Sequence, residues 1–540
     1  MEKSTGYCCD GIFRSLRPPL AIPAGPNTSM ISFLFRNVSS YPHKPALIDS
    51  GSGETLTFSE FKTTVAKLSH ALNIELGITK NDVVLIFAPN SIQYPICSYS
   101  IIALGAIVTT VNPQSTARDL SEQIQDSHPK LIITTQESYQ IVENFGLPVL
   151  FLGSKTSRNG VFSYTDLISK YGSVSELPNV SIRGDDTAAL LYSSGTIGDS
   201  KGVVLSHKNF IVASQMITSD QRLMRDQDYV HLCFLPMFHI FAFAVILYSQ
   251  LQEGNTVVSM GKFNFLGVLT NIEKYKVTHL WVIPPVILSL TKQTLAKKFH
   301  VPSLKVIFSG GASLGRGLIE ECAKIFPRVF ILQGYGMTET TAAISLGSPS
   351  IGHRRGSTGR LLPGIEAQIV SQQTSNHKSL PPNQIGEIWV RGASMMQGYL
   401  NNREATILTK DEHGFVHTGD VGYFDDEGQL FVIGRVSELI KSNGFQVTPA
   451  ELEARLLSHP EIVDAAIIPF PDDDAGEVPI AFVVRFPNCV LDEEDVKMFI
   501  AGQVAPYFQL RQVIFVNSIL KSASGKILRR VLIEEVRSRK

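Results

Sequence analysis

The sequence has no surplus of charge of either sign. Its 48 Lys+Arg stand against 49 Asp+Glu over 540 residues, a formal charge of -1. That balance excludes the broad cationic face that a nucleic-acid backbone or an anionic membrane requires. Cysteine is scarce: Cys8, Cys9, Cys97, Cys233, Cys322 and Cys489 contain no Cys-x-x-Cys spacing, which excludes a zinc ribbon or a thioredoxin-like redox motif and leaves isolated thiols of a reducing compartment. The first segment, Met1 to Pro26, lacks the apolar core of a secretory signal and carries Lys3, Asp10, Arg14 and Arg17, so the sequons at Asn27 and Asn37 are read as fortuitous. An unbroken apolar run is missing too. Val83 to Ala117 carries no charge, yet Pro89, Asn90, Pro95, Gly105, Asn112 and Pro113 cut it into pieces of strand and helix size, and no membrane span is expected. At 44% hydrophobic and 18% charged the chain lies far from the composition of disorder, and its length exceeds what one core organises, so two or more domains are expected.

What is present is alternation. Val83-Val84-Leu85-Ile86-Phe87, Leu131-Ile132-Ile133, Ala188-Ala189-Leu190-Leu191, Thr256-Val257-Val258 and Val306-Ile307-Phe308 read as strands buried on both faces. Between them lie helical patterns such as Ser59 to Leu76 and Asn209 to Ser219, and the combination predicts an α/β fold with largely parallel sheets. After about Pro363 short alternating strands (Gly386-Glu387-Ile388-Trp389-Val390) and turn signals (Asp426-Glu427-Gly428) predict a smaller β-rich subdomain. From Val436 a compact α+β unit is expected, ending in a tail with seven Lys/Arg against two Glu over its last twenty residues.

Five segments carry chemistry. Leu191-Tyr192-Ser193-Ser194-Gly195-Thr196-Ile197-Gly198-Asp199-Ser200-Lys201-Gly202 follows a buried strand and supplies hydroxyls, glycines and one lysine, the inventory of a phosphate cradle. It is no Walker A loop, because Ser200 precedes the lysine where glycine is needed, and a Gly/Ser-rich surface turn is the plain alternative. Gln333-Gly334-Tyr335-Gly336-Met337-Thr338-Glu339-Thr340 offers glycines that can lie against a flat ring, with a hydroxyl and a carboxylate suited to magnesium or phosphate. His417-Thr418-Gly419-Asp420 and Gly434-Arg435 supply a carboxylate and a guanidinium, although one loop Asp is as readily an Asx-turn. Ser522-Ala523-Ser524-Gly525-Lys526 puts a lysine on a glycine-marked turn.

Together and in this order, these segments resemble the adenylate-forming superfamily of acyl-CoA synthetases, luciferases and peptide-synthetase adenylation domains. Leu235-Pro236-Met237-Phe238-His239-Ile240-Phe241, Gly444-Phe445-Gln446-Val447-Thr448-Pro449-Ala450-Glu451 and Gly11-Ile12-Phe13-Arg14-Ser15-Leu16-Arg17-Pro18 are similar to the plant 4-coumarate:CoA ligase and ligase-like group, nearly end to end. The resemblance implies an N-terminal adenylation domain over 1–433, with two parallel α/β sheet subdomains and a small β-barrel-like one, and a mobile α+β C-terminal domain over 434–540 hinged at Gly434-Arg435. It implies ATP, magnesium and coenzyme A as cofactors and a small-molecule carboxylic acid as substrate. Carried over by motif, Lys526 would bridge the acid and the α-phosphate, and Glu339 would hold magnesium. Ser193, Ser194, Gly195, Thr196, Ile197 and Lys201 would hold the outer phosphates. Gln333, Gly334 and Thr338 would belong to the adenine and magnesium motif, and Asp420 and Arg435 would fix the ribose. His239 would gate the carboxylate, Lys441 and Gln446 would lie around the adenylate, Asn443 and Gly444 would form the pantetheine passage, and Lys262 would contact coenzyme A. The acyl pocket would be walled by Phe241, Gly311, Gly336, Ala342 and Ala343.

The chain departs from the ligase pattern at Ile197 (usually Thr), Gly434 (usually Asp), and Ser437 and Asn443 (usually Lys). A catalytically weakened paralogue that binds ATP or an acyl ligand without turnover is therefore the alternative to an active ligase. Luciferase-like oxygenation and service to a carrier protein are further alternatives, the latter disfavoured because no carrier domain follows Lys540. Phe241 lacks the hydroxyl of the tyrosine usual in hydroxycinnamate enzymes, and Ala342-Ala343 replaces bulkier residues, which predicts a roomier, apolar cavity for a fatty or oxylipin-type acid over 4-coumarate, with a phenylpropanoid acid, and Phe241 as plain core packing, the alternatives. Ser538-Arg539-Lys540 resembles a peroxisomal tripeptide without its leucine, so cytosol and peroxisome are both expected locations.

Overall fold

The computed structural model describes residues 5–20, 28–153, 160–193, 200–224, 228–292, 299, 301–350, 352, 354–372, 378–442, 445–472, 474–487, 489–505, 508–522 and 525–538. Ser194, Gly195, Thr196, Ile197, Asn443 and Gly444, named above as site residues, lie outside them.

The apolar runs pair as their composition predicts. Lys201–Ser206, Thr187–Ser193, Ile107–Thr110, Val83–Phe87, Leu131–Thr134, Val149–Phe151 and Val161–Ser163 lie side by side in an eight-stranded sheet whose first edge is Gly398–Tyr399. The central pairings are parallel, and both pairings of Lys201–Ser206 are antiparallel. The two faces of Val83–Phe87 feed different cores: Val84 and Ile86 join the main cluster, while Leu85 and Phe87 join a smaller one on the far side. This is why the run contains no polar position.

A nine-stranded sheet runs Arg360–Leu361, Ser345–Leu346, Phe330–Tyr335, Val306–Ser309, His279–Val282, Val230–Cys233, Thr256–Ser259, Pro45–Asp49, Thr55–Thr57, parallel except at its ends. Helices close both sheets. Phe58–Leu76 starts on a Thr57–Glu60 capping box and stops at Gly77, whose φ of 62° ends the helix. The uncharged stretch becomes strand, helix Gln93–Ala103 and strand, and no helix among the described residues is long and apolar enough to cross a membrane.

The β-rich subdomain is an antiparallel sheet of five strands: Phe13–Arg14, Glu366–Val370, Gly386–Arg391, Val416–Phe424 and Leu430–Arg435. One of its edges comes from the extreme N-terminal part of the chain, which the local pattern after Pro363 did not convey. The main core ends at Leu430, and Ile440 opens a separate core. That second unit is a sheet ordered Phe445–Val447, Ile440–Ser442, Gly476–Arg485, Ile462–Asp472, with Gln512–Phe515 parallel to Gly476–Arg485. Helices Pro449–Leu457 and Glu493–Ala501 lie on one face and Arg529–Ser538 on the other.

Candidate active site

The ends of several strands and the lysine turn of the C-terminal unit surround one cavity of about 840 Å³. Lys526, Glu339, His239, Ser193, Lys201, Gly334, Thr338 and Arg435 line it, together with Phe241, Gly311, Gly336, Ala342 and Ala343. Residues far apart in sequence thus line one cavity.

At the polar end, Glu339 is buried, and its Oε1 accepts hydrogen bonds from Ser193 Oγ (3.0 Å) and Tyr399 OH (2.9 Å). Lys201 stands directly across from Ser193 in the antiparallel pair, and its ammonium lies 5.3 Å from the Tyr399 ring centroid. Asp420 and Arg435 face each other across adjacent strands. Arg435 Nε donates to Asp420 Oδ1 at 2.9 Å, and Tyr335 OH donates to Oδ2 at 2.7 Å. Burial holds the Asp420 carboxyl above its ordinary pKa despite the opposing guanidinium.

Lys526 enters on a turn closed by Ser522 N–H to Lys526 O (2.8 Å), with Ser522 Oγ accepting the Lys526 N–H at 3.1 Å. Burial and then Arg435 lower its ammonium pKa, while Asp420 and Glu339 pull it back up. Among the described residues it makes no side-chain hydrogen bond, so its charge faces the cavity. Opposite lies His239, whose Nδ1 accepts the Phe241 N–H at 3.2 Å. Burial, then the Lys526 charge, push the imidazole down to about 4.

The apolar end is built on an eight-residue π-helix, Phe241–Tyr248, which turns Phe241 and Val245 toward the cavity. Phe241 packs edge-on against Trp281 (6.2 Å), which stacks on Phe308 (4.4 Å) and donates its indole N–H to buried His231. Ala342 and Ala343 complete the wall from a loop in which Thr341 and Ala342 both have positive φ, 54° and 85°. Such a backbone is strained for residues bearing a Cβ, and it is held by Thr341 Oγ1 donating to Ser394 O at 2.6 Å. Gly336 cannot carry a side chain here, because a Cβ would stand 1.7 Å from Ala342 O.

Of the expected site residues, Gln333, Lys262, Lys441 and Gln446 lie elsewhere. Gln333 is framework: its amide receives the Leu314 N–H and donates to Ser357 O. Lys262 is exposed and is not among the cavity-lining residues. Lys441 is also exposed and away from the lining, on the hairpin strand Ile440–Ser442, where Gln446 pairs with it in register.

Comparison with known proteins decides what kind of site this is. The model of the AMP-binding enzyme family matches residues 34–400, and that of its C-terminal domain matches 451–526. The chain belongs to the AMP-binding enzyme family. Among its relatives are the probable CoA ligase CCL5 of Humulus lupulus, 41% identical over 99% of this chain and 98% of that protein, and peroxisomal OPC-8:0-CoA ligase 1 of Arabidopsis thaliana, 39% identical over 99% and 98%. Its fold is similar to that of o-succinylbenzoate coenzyme A synthetase from Bacillus subtilis in complex with ATP and magnesium, with TM-score 0.79 and 27% identity over 93% of this chain and 99% of that one.

In this AMP-binding enzyme, sequence reasoning missed Tyr399 and Trp281. The Gly398-Tyr399 pair, a short polar edge after the Gly386–Arg391 strand, was the available signal for the first. Trp281 carried none, because a tryptophan inside an apolar strand reads as core.

Proposed function

We propose that the protein is an ATP-dependent carboxylate:CoA ligase that forms an acyl-AMP and then an acyl-CoA thioester, with an apolar fatty or oxylipin-type acid as its substrate. The observation that carries this reading is the meeting of Lys526 with Lys201, Glu339 and the Asp420–Arg435 pair around one cavity whose other end is walled by Phe241, Trp281, Phe308 and two alanines.

Carboxylate and triphosphate are both anionic, so their approach requires cations held between them. Lys526, half-buried and with no side-chain hydrogen bond among the described residues, would stand between the acid and the α-phosphate. Lys201 would hold the outer phosphates, and Asp420 would take the ribose hydroxyls. Glu339 fits magnesium: it is a hard oxygen donor, and both of its hydrogen bonds fall on Oε1. Bound there, magnesium would neutralise phosphate charge. Neutral His239 adds no competing charge beside the acid.

Lys526 in the cavity with Lys441 exposed outside it supports the first-step pose. For the second step the unit beginning at 434 would turn about Gly434-Arg435, withdrawing Lys526 and bringing the Lys441–Gln446 hairpin to the adenylate.

Phe241 offers no hydroxyl to a phenolic acid, and the Ala342–Ala343 wall leaves room for an aliphatic one. The test is incubation of purified protein with ATP, magnesium and a carboxylate panel, with and without coenzyme A, followed by mass identification of acyl-AMP and acyl-CoA. Aliphatic and oxylipin acids are expected to turn over faster than 4-coumarate, and equal or better turnover of 4-coumarate overturns the substrate assignment. No pyrophosphate release with any acid, unchanged by Lys526→Ala, overturns the ligase reading in favour of a binding protein. A fluorescent protein fused to the N-terminus, leaving Ser538-Arg539-Lys540 free, reports whether the enzyme works in cytosol or peroxisome.

A further inference from the structure

Tyr399 lies between two groups of opposite charge at the polar end, Glu339 and Lys201, both assigned to the phosphate chemistry proposed above. Its hydroxyl donates to Glu339 Oε1 at 2.9 Å, and its ring face lies 5.3 Å from the Lys201 ammonium. The backbone would otherwise bring those charges together. Lys201 stands directly across from Ser193, and Ser193 Oγ is itself bonded to Glu339 Oε1 at 3.0 Å. Yet no ion pair joins Lys201 to Glu339 among the described residues. The tyrosine stands on the edge strand Gly398–Tyr399, whose pairing of Tyr399 with Val203 and of Gly398 with Val204 holds it beside the lysine strand.

We infer that Tyr399 is a positioning residue, an aromatic spacer that keeps Lys201 and Glu339 apart so that both charges stay available to magnesium-bound ATP. A cation over a ring face is attracted without being neutralised, and a carboxylate accepting a phenol hydrogen bond keeps its charge and its second oxygen. A lysine–carboxylate pair, by contrast, satisfies itself and must be broken before either partner can bind a ligand. This inference rests on the reading that the polar end takes magnesium and ATP.

The test is calorimetric titration of magnesium-ATP into the full chain without acid or coenzyme A, across the variants Tyr399→Phe, Tyr399→Ala and Glu339→Gln and the two double variants, each checked by its melting curve. Tyr399→Ser serves where Ala does not fold. Tyr399→Phe is expected to weaken binding by roughly threefold to tenfold, because the ring remains and only the hydrogen bond is lost. Tyr399→Ala is expected to lose roughly tenfold or more. The deciding quantity is the cost of Glu339→Gln in each background. With tyrosine or phenylalanine at 399 it weakens binding by roughly tenfold. With alanine or serine it costs roughly twofold or less, because losing the carboxylate frees a paired lysine. Equal cost in every background, as a merely structural tyrosine would give, overturns the spacer, as does wild-type affinity in Tyr399→Ala. A wild-type chain that binds no magnesium-ATP overturns the ligase reading itself, and the spacer with it.

Discussion

Of the histidines that accept an N–H on Nδ1, which only a neutral ring can do, three are also held below their ordinary pKa. His207 receives the Met30 amide (3.2 Å), His231 the Trp281 indole (3.1 Å) and His239 the Phe241 amide (3.2 Å). Burial pushes His207 to about 4, pushes His231 well below its ordinary value and, with Lys526, pushes His239 to about 4. Between pH 6.5 and 4 the unfolded chain therefore binds more protons than the folded one, so stability is full above 6.5 and falls as the pH drops through that window. His207, wholly buried, alone accounts for a loss on the order of 2 kcal/mol at pH 5. Urea unfolding should show a lower midpoint at pH 5 than at pH 7, and equal midpoints would contradict the assignment. At this scale the charged residues Lys201, Glu339, Asp420, Arg435 and Lys526 were legible as candidates because each lies beside or near a glycine in a segment rich in polar groups. It could not convey Trp281, whose place on the cavity depends on a neighbouring strand contributed by residues 306–309.

The lysine turn shows how much an element can depend on one missing atom. Gly525 has φ of 81°, and a Cβ on it would lie 2.6 Å from Ile283 Cδ1 of the large domain. Gly525→Ala should therefore push Lys526 out of the cavity. ATP–pyrophosphate exchange is expected to fall by roughly tenfold or more, while thioester formation from supplied acyl-AMP changes little. Equal loss in both half-reactions would point to general damage instead. The parallel strands were readable because burial on both faces leaves continuous apolar runs. The π-helix Phe241–Tyr248 was not, since its wider turn leaves no periodic mark in a segment buried all round. The N-terminal edge strand Phe13–Arg14 was equally hidden. Two residues have no period, and their partner Glu366–Val370 lies at the other end of the large domain's sequence.

At the scale of the molecule, the departure at Gly434 acquires a physical reason. A Cβ at 434 would stand 2.7 Å from Thr448 Cγ2, and a β-branched side chain at the start of helix Pro449–Leu457 has little freedom to yield. On the proposed function, a glycine here would let the second unit close with Lys526 inside the cavity. Gly434→Ala should slow pyrophosphate exchange by roughly tenfold, and adding Thr448→Ser, which removes the opposing methyl, should restore it. An exchange rate untouched by Gly434→Ala would remove this role. On the proposed function, one lysine, Lys526, delivered by the C-terminal unit, drives only the first half-reaction. The most direct test of that role measures both half-reactions in Lys526→Ala. Pyrophosphate exchange is expected to fall by roughly a hundredfold or more, with thioester formation from supplied acyl-AMP within a few-fold of wild type. Exchange at the wild-type rate, or equal loss in both steps, would contradict it.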